Sequence, residues 1–332
     1  MDSNVSKETN SHKFFKIPVN PEKQTVSIKK LIKQLLLSLC DLYQQEFNVE
    51  IEPKFAIAIA EPKIALANLK TKYFWELNNG FQTLLEPQFV PIRYSCPLAL
   101  ALASYWQIPV AMVSQNFKSL LIAQQNNLAE SSSWLFKIEI LSSGWFNIYL
   151  NSNNLSAWLK RSFLLIKKNA INNQNLLTVS KICDQEQTSD KIFFLQYVHA
   201  RCCSWLRLGA QAKLITLEDN LSLKGYYLLN PQSISWLDRH GSLWLNEASA
   251  HNLLCRLLII TDSFVGNFAA QDWIKLASSF GLATLVFQSD CRFLGGVTAS
   301  RAIARLGLIA LVQYWLQRIL QEKLHVAAPI EL

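Results

Sequence analysis

Glycine is scarce in this sequence, with only ten in 332 residues, and the pair Gly295-Gly296 is the nearest approach to a glycine-rich loop. Neither a Gly-x-Gly-x-x-Gly fingerprint nor a Gly-Lys-Ser/Thr phosphate cradle occurs, so dinucleotide and triphosphate binding have no motif behind them. Seven cysteines (Cys40, Cys96, Cys183, Cys202, Cys203, Cys255, Cys291) form an odd set without a Cys-x-x-Cys pair, and they read as buried, reduced thiols. The five histidines include no His-x-x-x-His pair, and no carboxylate pair stands out. No metal or other cofactor is therefore expected, and a catalytic reading has no motif to rest on.

Long apolar runs are missing as well. The longest candidate, around Leu306 to Leu316, is flanked by Arg305 and Arg318 and interrupted by Gln313, short of the roughly 20 apolar residues that cross a bilayer. Met1 to Asn20 is polar and lacks the apolar core of a secretory signal. A cytoplasmic protein without a membrane partner is the expectation.

What is present begins with charge: +8 overall and an isoelectric point near 9.1. From Lys160 to Lys213 nine cations face three anions, a local excess that would suit a polyanionic partner. Half the residues are hydrophobic, ample for two cores. Residues 1–25, rich in Ser, Asn and Lys, read as a disordered tail. Ile28 to Phe47 carries apolar residues at helical spacing and predicts an amphipathic helix. Phe55 to Ala60, Phe136 to Leu141 and Phe146 to Leu150 read as strands, Pro97 to Trp106 and Ala111 to Gln124 as helices, and Gly144 as a turn. This makes 26–168 an α+β domain. A polar linker at 169–190 follows, and 191–332 reads as an all-α helical bundle containing Ala248 to Asp262, Gln271 to Phe280 and Ala302 to Leu320. Thr216 to Asn252, punctuated by Gly225, Pro231 and Gly241, reads as a long connection within that bundle.

Between Phe193 and Arg207 the wheel separates Leu195, Val198, Cys202, Trp205 and Leu206 from a stripe of Gln196, His199, Cys203 and Arg207. That stripe can present donors to phosphate and ribose, or it can hold the domain together through hydrogen bonds to neighbouring carbonyls. Spacing leaves both open and favours the second.

The run Gln196-Tyr197-Val198-His199-Ala200-Arg201, with Ser204 and Arg207 behind it, resembles the helix that opens the anticodon-binding (DALR) domain of arginyl-tRNA synthetases, departing at Val198. Ala304 to Leu308 and Val312 to Leu320 are similar to that family's last long helix. Ala328-Pro329 is similar to its closing Ala-Pro-Glu-x-Met, with Ile330 and Leu332 as departures. Tyr94 to Ala103, Phe117 to Ile122 and Gly144 to Ile148 resemble, more weakly but in order, the family's additional N-terminal domain. Neither the His-x-Gly-His nor the Lys-Met-Ser-Lys-Ser signature is present, and the joining stretch is too short for a class I catalytic domain.

The resemblance implies a non-catalytic tRNA-binding protein, accessory or regulatory in translation, with tRNA-Arg as the possible ligand. Its expected RNA contacts are Lys160, Arg161, Lys167, Gln196, His199, Arg201, Arg207, Arg292 and Arg318, with Phe287 and Tyr314 as stacking surfaces. Gly281, Ala283 and Thr284 stand where the family usually places an Asn and two aromatics. The alternative is a protein-interaction module that reuses the surface freed by the missing catalytic domain, for a partner or a second copy. An arginine–tRNA ligase is the least favoured reading.

Overall fold

A computed structural model describes residues 13–16, 27–49, 51, 57–64, 89–125, 135–172, 186–220, 225–264 and 270–332. In chain order these form β1 (Lys13–Lys16), α1 (Ile28–Phe47), β2 (Lys63–Ile64), β3 (Phe89–Cys96), α2 (Leu98–Trp106), α3 (Val110–Gln125), β4 (Leu135–Ile140), β5 (Phe146–Asn151) and α4 (Ser152–Asn172). The second half adds α5 (Glu186–Gln211), the hairpin β6 (Thr216–Asn220) and β7 (Gly225–Asn230), α6 (Ala248–Ser263), α7 (Ala270–Asp290) and α8 (Ala299–Arg318). The chain is thus mixed helix and sheet, with a small antiparallel sheet in its first half and a mainly helical second half.

The sheet has the order β1-β4-β5-β3-β2, antiparallel throughout. Alternation sends Ile92, Tyr94, Cys96, Phe136, Ile138, Ile140, Phe146, Ile148 and Leu150 into the core. The opposite face carries a cross-strand polar ladder, in which Glu139 accepts from Asn147 (3.1 Å) and Tyr149 (2.9 Å), and Ser95 donates to Asn147 (2.9 Å). Helix α1 lays Leu31, Leu35, Leu39 and Tyr43 inward, and Tyr43 meets Phe117 of α3 at 4.5 Å. At the β4–β5 turn Gly144 has φ +83° and sits so close to α2 that a Cβ would lie 2.8 Å from the Leu100 nitrogen.

Helices α6 and α8 are buried nearly all round and form the centre of the second half. By length and composition Ala299–Lys323 could cross a membrane, yet 89% of its apolar window is buried inside the protein. Its last turn, Ile319–Lys323, widens so that the Leu324 amide donates to the Ile319 carbonyl (3.0 Å). Buried residues of both halves join in one hydrophobic cluster. The halves are also pinned by Asp262, at the end of α6. Its carboxylate accepts from the Ser27 hydroxyl (2.7 Å), the Lys29 amide (3.1 Å) and the Tyr94 hydroxyl (2.8 Å), and so stands at the positive N-terminus of α1.

The structure corrects several expectations. Within the tail expected to be disordered, Lys13–Lys16 pair with β4; the rest of 1–25 lies outside the described residues. Strand β3 went unread because Pro91 lies within it, where the β3–β5 register shifts between Phe89 and Arg93. The expected strand at Phe55 to Ala60 is not a strand over its described part, 57–60. The linker is shorter than expected, since α4 runs to Asn172 and α5 begins at Glu186. The bundle is not all-α, because the expected connection contains the β6–β7 hairpin. Helix α7 continues past Gly281 to Asp290, since that glycine lies inside the helix against α5.

Candidate functional site

The polar stripe of α5 faces the protein's own C-terminal segment. Gln196 donates to the Ala327 carbonyl (2.9 Å), and His199 Nδ1 lies 2.8 Å from the Pro329 carbonyl oxygen. Arg207 Nη1 reaches the Glu331 carboxylate (2.7 Å) and the Tyr226 hydroxyl (3.2 Å), while its Nη2 donates to Ser204 (3.1 Å). His199 is completely buried, and its other ring nitrogen sits 2.9 Å from the Gln313 amide of α8. A neutral ring that donates from Nδ1 and accepts at Nε2 satisfies both contacts. Burial holds the imidazole down at a pKa of about 4, although the Pro329 carbonyl pulls the other way. The stripe therefore works as a clamp on residues 327–331.

Burial corrects three of the expected RNA contacts. His199 and Phe287 have no exposed surface and Tyr314 almost none, so none of the three can meet a base. Gln196 and Arg207 are engaged with the tail. Arg318 donates twice to Glu322 (2.6 and 2.7 Å) and lies over the rings of Phe264 (4.7 Å) and Trp315 (5.2 Å). Arg161 is half-buried, and burial lowers its guanidinium pKa. Lys160 is exposed on α4; the side chain of Lys167 lies outside the described residues. Arg201 and Arg292 are exposed at the same end of the helical half, where Arg201 donates to Gln288 (3.1 Å), one turn before Arg292.

The sequence reading missed the opposite side of α5. A Cβ on Gly281 would lie 3.0 Å from Phe194 and 3.3 Å from Val198, and Gln288 accepts from Arg201, so α5 and α7 run in the same direction, with Gly281 level with the Phe194–Val198 turn and Gln288 level with Arg201. With α5's contacts to α7, α8 and the tail fixed, its outward stripe is Asp190, Phe193, Tyr197, Arg201, Ser204 and Leu208. The same construction on α7 turns Lys275, Leu282, Val286 and Ser289 outward, on the same side. Phe193 is 59% exposed and Leu282 60%, and Tyr197, Leu208 and Val286 are exposed beside them. The signal was present as the four-residue steps Phe193/Tyr197 and Leu282/Val286.

Among the described residues no thiol is poised for chemistry. Burial pushes Cys40, Cys96, Cys203 and Cys255 up to about 12, and the six described cysteines are all buried and free. Among the described residues no group of three or more His, Cys, Asp or Glu is placed to hold a metal ion.

No family model matches this chain. A human protein, kinase non-catalytic C-lobe domain-containing protein 1, is 25% identical over 113 residues. That stretch is 33% of this chain and spans only 6% of the human protein. No solved structure matches.

Proposed function

We propose that this chain is a non-catalytic binding protein on a frame like that of an arginyl-tRNA synthetase's anticodon-binding domain, and that the α5–α7 face is its protein-docking surface. The two stretches that suggested the frame bind each other: Gln196 and His199 hold Ala327 and Pro329. That mutual contact supports the resemblance as one of architecture. The observation that carries the docking reading is the outward set Phe193, Tyr197, Leu208, Leu282 and Val286, exposed together on one face while the stripe's polar donors are turned inward.

A second reading, tRNA binding, is favoured by the exposed cations Lys160, Arg201 and Arg292 and by the net charge of +8. Titration of the full chain with a tRNA-Arg transcript, total tRNA and an unrelated RNA across a salt series separates the two. The docking reading expects weak binding, equal for the three RNAs and lost at moderate salt. Tight binding that prefers tRNA-Arg and disappears in Arg201→Ala would replace it with the tRNA reading.

A further inference from the structure

We infer that the α5–α7 face binds a second copy of this chain, in an antiparallel pairing about a twofold axis. The inference rests on reading that face as a protein-docking surface and names its occupant.

The argument is charge complementarity along two parallel helices. Place an axis in the plane of the face, perpendicular to the helices, crossing α5 between Leu195 and Gln196. With Gln288 level with Arg201 and Gly281 beside Phe194 and Val198, it crosses α7 close to Leu282, to within about half a helical turn. On α5 the exposed Asp190 and Arg201 stand at equal distances on either side, about 16 Å apart along the helix at 1.5 Å per residue. On α7 the exposed Lys275 and Asp290 are likewise equidistant, about 22 Å apart. One axis thus sets Asp190 opposite the second copy's Arg201 and Lys275 opposite its Asp290. Each pair occurs twice, as an isologous interface requires.

The same axis stacks the apolar side chains on one another. Leu282 lies beside the axis and meets its own counterpart, and Phe193 and Tyr197 of one α5 meet Tyr197 and Phe193 of the other. The result is an apolar centre with charged pairs toward its rim, the arrangement of specific interfaces. A twofold along the helices would instead lay α5 on the second copy's α7, with Asp190 near Lys275 and Arg201 near Asp290. In that arrangement the double swap at Asp190 and Arg201 deepens the loss of association, whereas in the antiparallel one it restores association.

Sedimentation equilibrium of the full chain, from about 1 to 100 μM, is the test, because interfaces of ordinary size span micromolar and tighter affinities. The expected result is a concentration-dependent rise from monomer to dimer. Asp190→Arg and Arg201→Asp, made singly, each weaken association about tenfold or more, and the double swap restores it. Lys275→Glu and Asp290→Lys behave as a second, independent pair. Unfolding midpoints of all variants separate lost association from lost folding, and Asp290, exposed at the end of α7, can be changed without touching the core.

A monomer at every concentration would overturn the inference, as would a dimer indifferent to both swaps. Neither result by itself removes the docking reading, which falls only if the RNA titration shows tRNA-Arg binding lost in Arg201→Ala.

Discussion

On the inner side of α5 the polar residues Gln196, His199 and Arg207 are taken up by the chain's own C-terminal segment, whereas on its outer side Phe193, Tyr197 and Leu208 meet solvent. Beside its buried apolar face of Leu195, Val198, Cys202 and Leu206, this one helix thus carries a polar stripe bonded to the protein itself and a set of exposed apolar side chains. Polar groups go inside without a large penalty only where each finds a partner, and here the tail carbonyls, Gln313 and Glu331 supply them. Apolar groups outside mark a surface built for contact. The residues that carry the resemblance are therefore ones that maintain the fold, and the exposed apolar residues lie on another face of the same helix.

The sharpest way to break this comparison is to remove the inner anchor. His199→Ala leaves a cavity and strands the Pro329 carbonyl and the Gln313 amide, and it should cost about 3 to 4 kcal/mol in a urea unfolding curve. Acid should act on the same group. Because the folded-state pKa of His199 is depressed from 6.5 to about 4, its stabilising contribution is complete above pH 6.5 and is lost as the pH falls toward 4. The loss is on the order of 3 kcal/mol, and His199→Gln should reduce the slope of unfolding free energy against pH by that much, leaving the part due to His251, which burial also holds down at about 4. Asp262 works the other way: burial raises its carboxyl pKa, so its contribution is complete below about pH 4 and falls away as the pH rises through the folded value.

Asp262→Ala removes the acceptor that braces the Ser27 cap of α1 and leaves the Tyr94 hydroxyl and the Lys29 amide without it, with an expected loss of about 2 to 3 kcal/mol in thermal or urea unfolding. Arg207→Ala comes next, at about 1 kcal/mol, since its partner Glu331 is largely exposed and water screens the pair. Leu282→Lys, on the outer face, should shift the unfolding midpoint least, by under about 0.5 kcal/mol.

Much of the architecture could be read in the residues. The 3.6-residue rhythm of Ile28 to Phe47 gave α1 its observed limits, and the alternation at Phe146 to Leu150 marked β5. Three features could not be read for physical reasons. Lys13–Lys16 is four residues long in a polar setting and becomes a strand by pairing with β4, which lies far off in sequence. Strand β3 contains Pro91, a residue that breaks up a strand pattern, and a register shift accommodates it. The helix expected over Gln271 to Phe280 runs on through Gly281 to Asp290, and the glycine's missing side chain serves the close approach of α5.

The stripe Gln196, His199, Arg207 was visible as a stripe, but spacing fixes which residues share a face and not what that face meets. The tail that binds it lies more than 120 residues away in sequence. The four-residue steps Phe193/Tyr197 and Leu282/Val286 likewise show which residues share a face, while the packing of α7 beside α5 decides that this face stays exposed.

The most direct test of this division compares wild type, Arg207→Ala and Leu282→Lys by sedimentation equilibrium under identical conditions. If the inner stripe maintains the fold and the outer face binds, wild type and Arg207→Ala share one concentration-dependent mass, and Leu282→Lys remains a monomer. An Arg207→Ala monomer beside an associating Leu282→Lys would contradict the account.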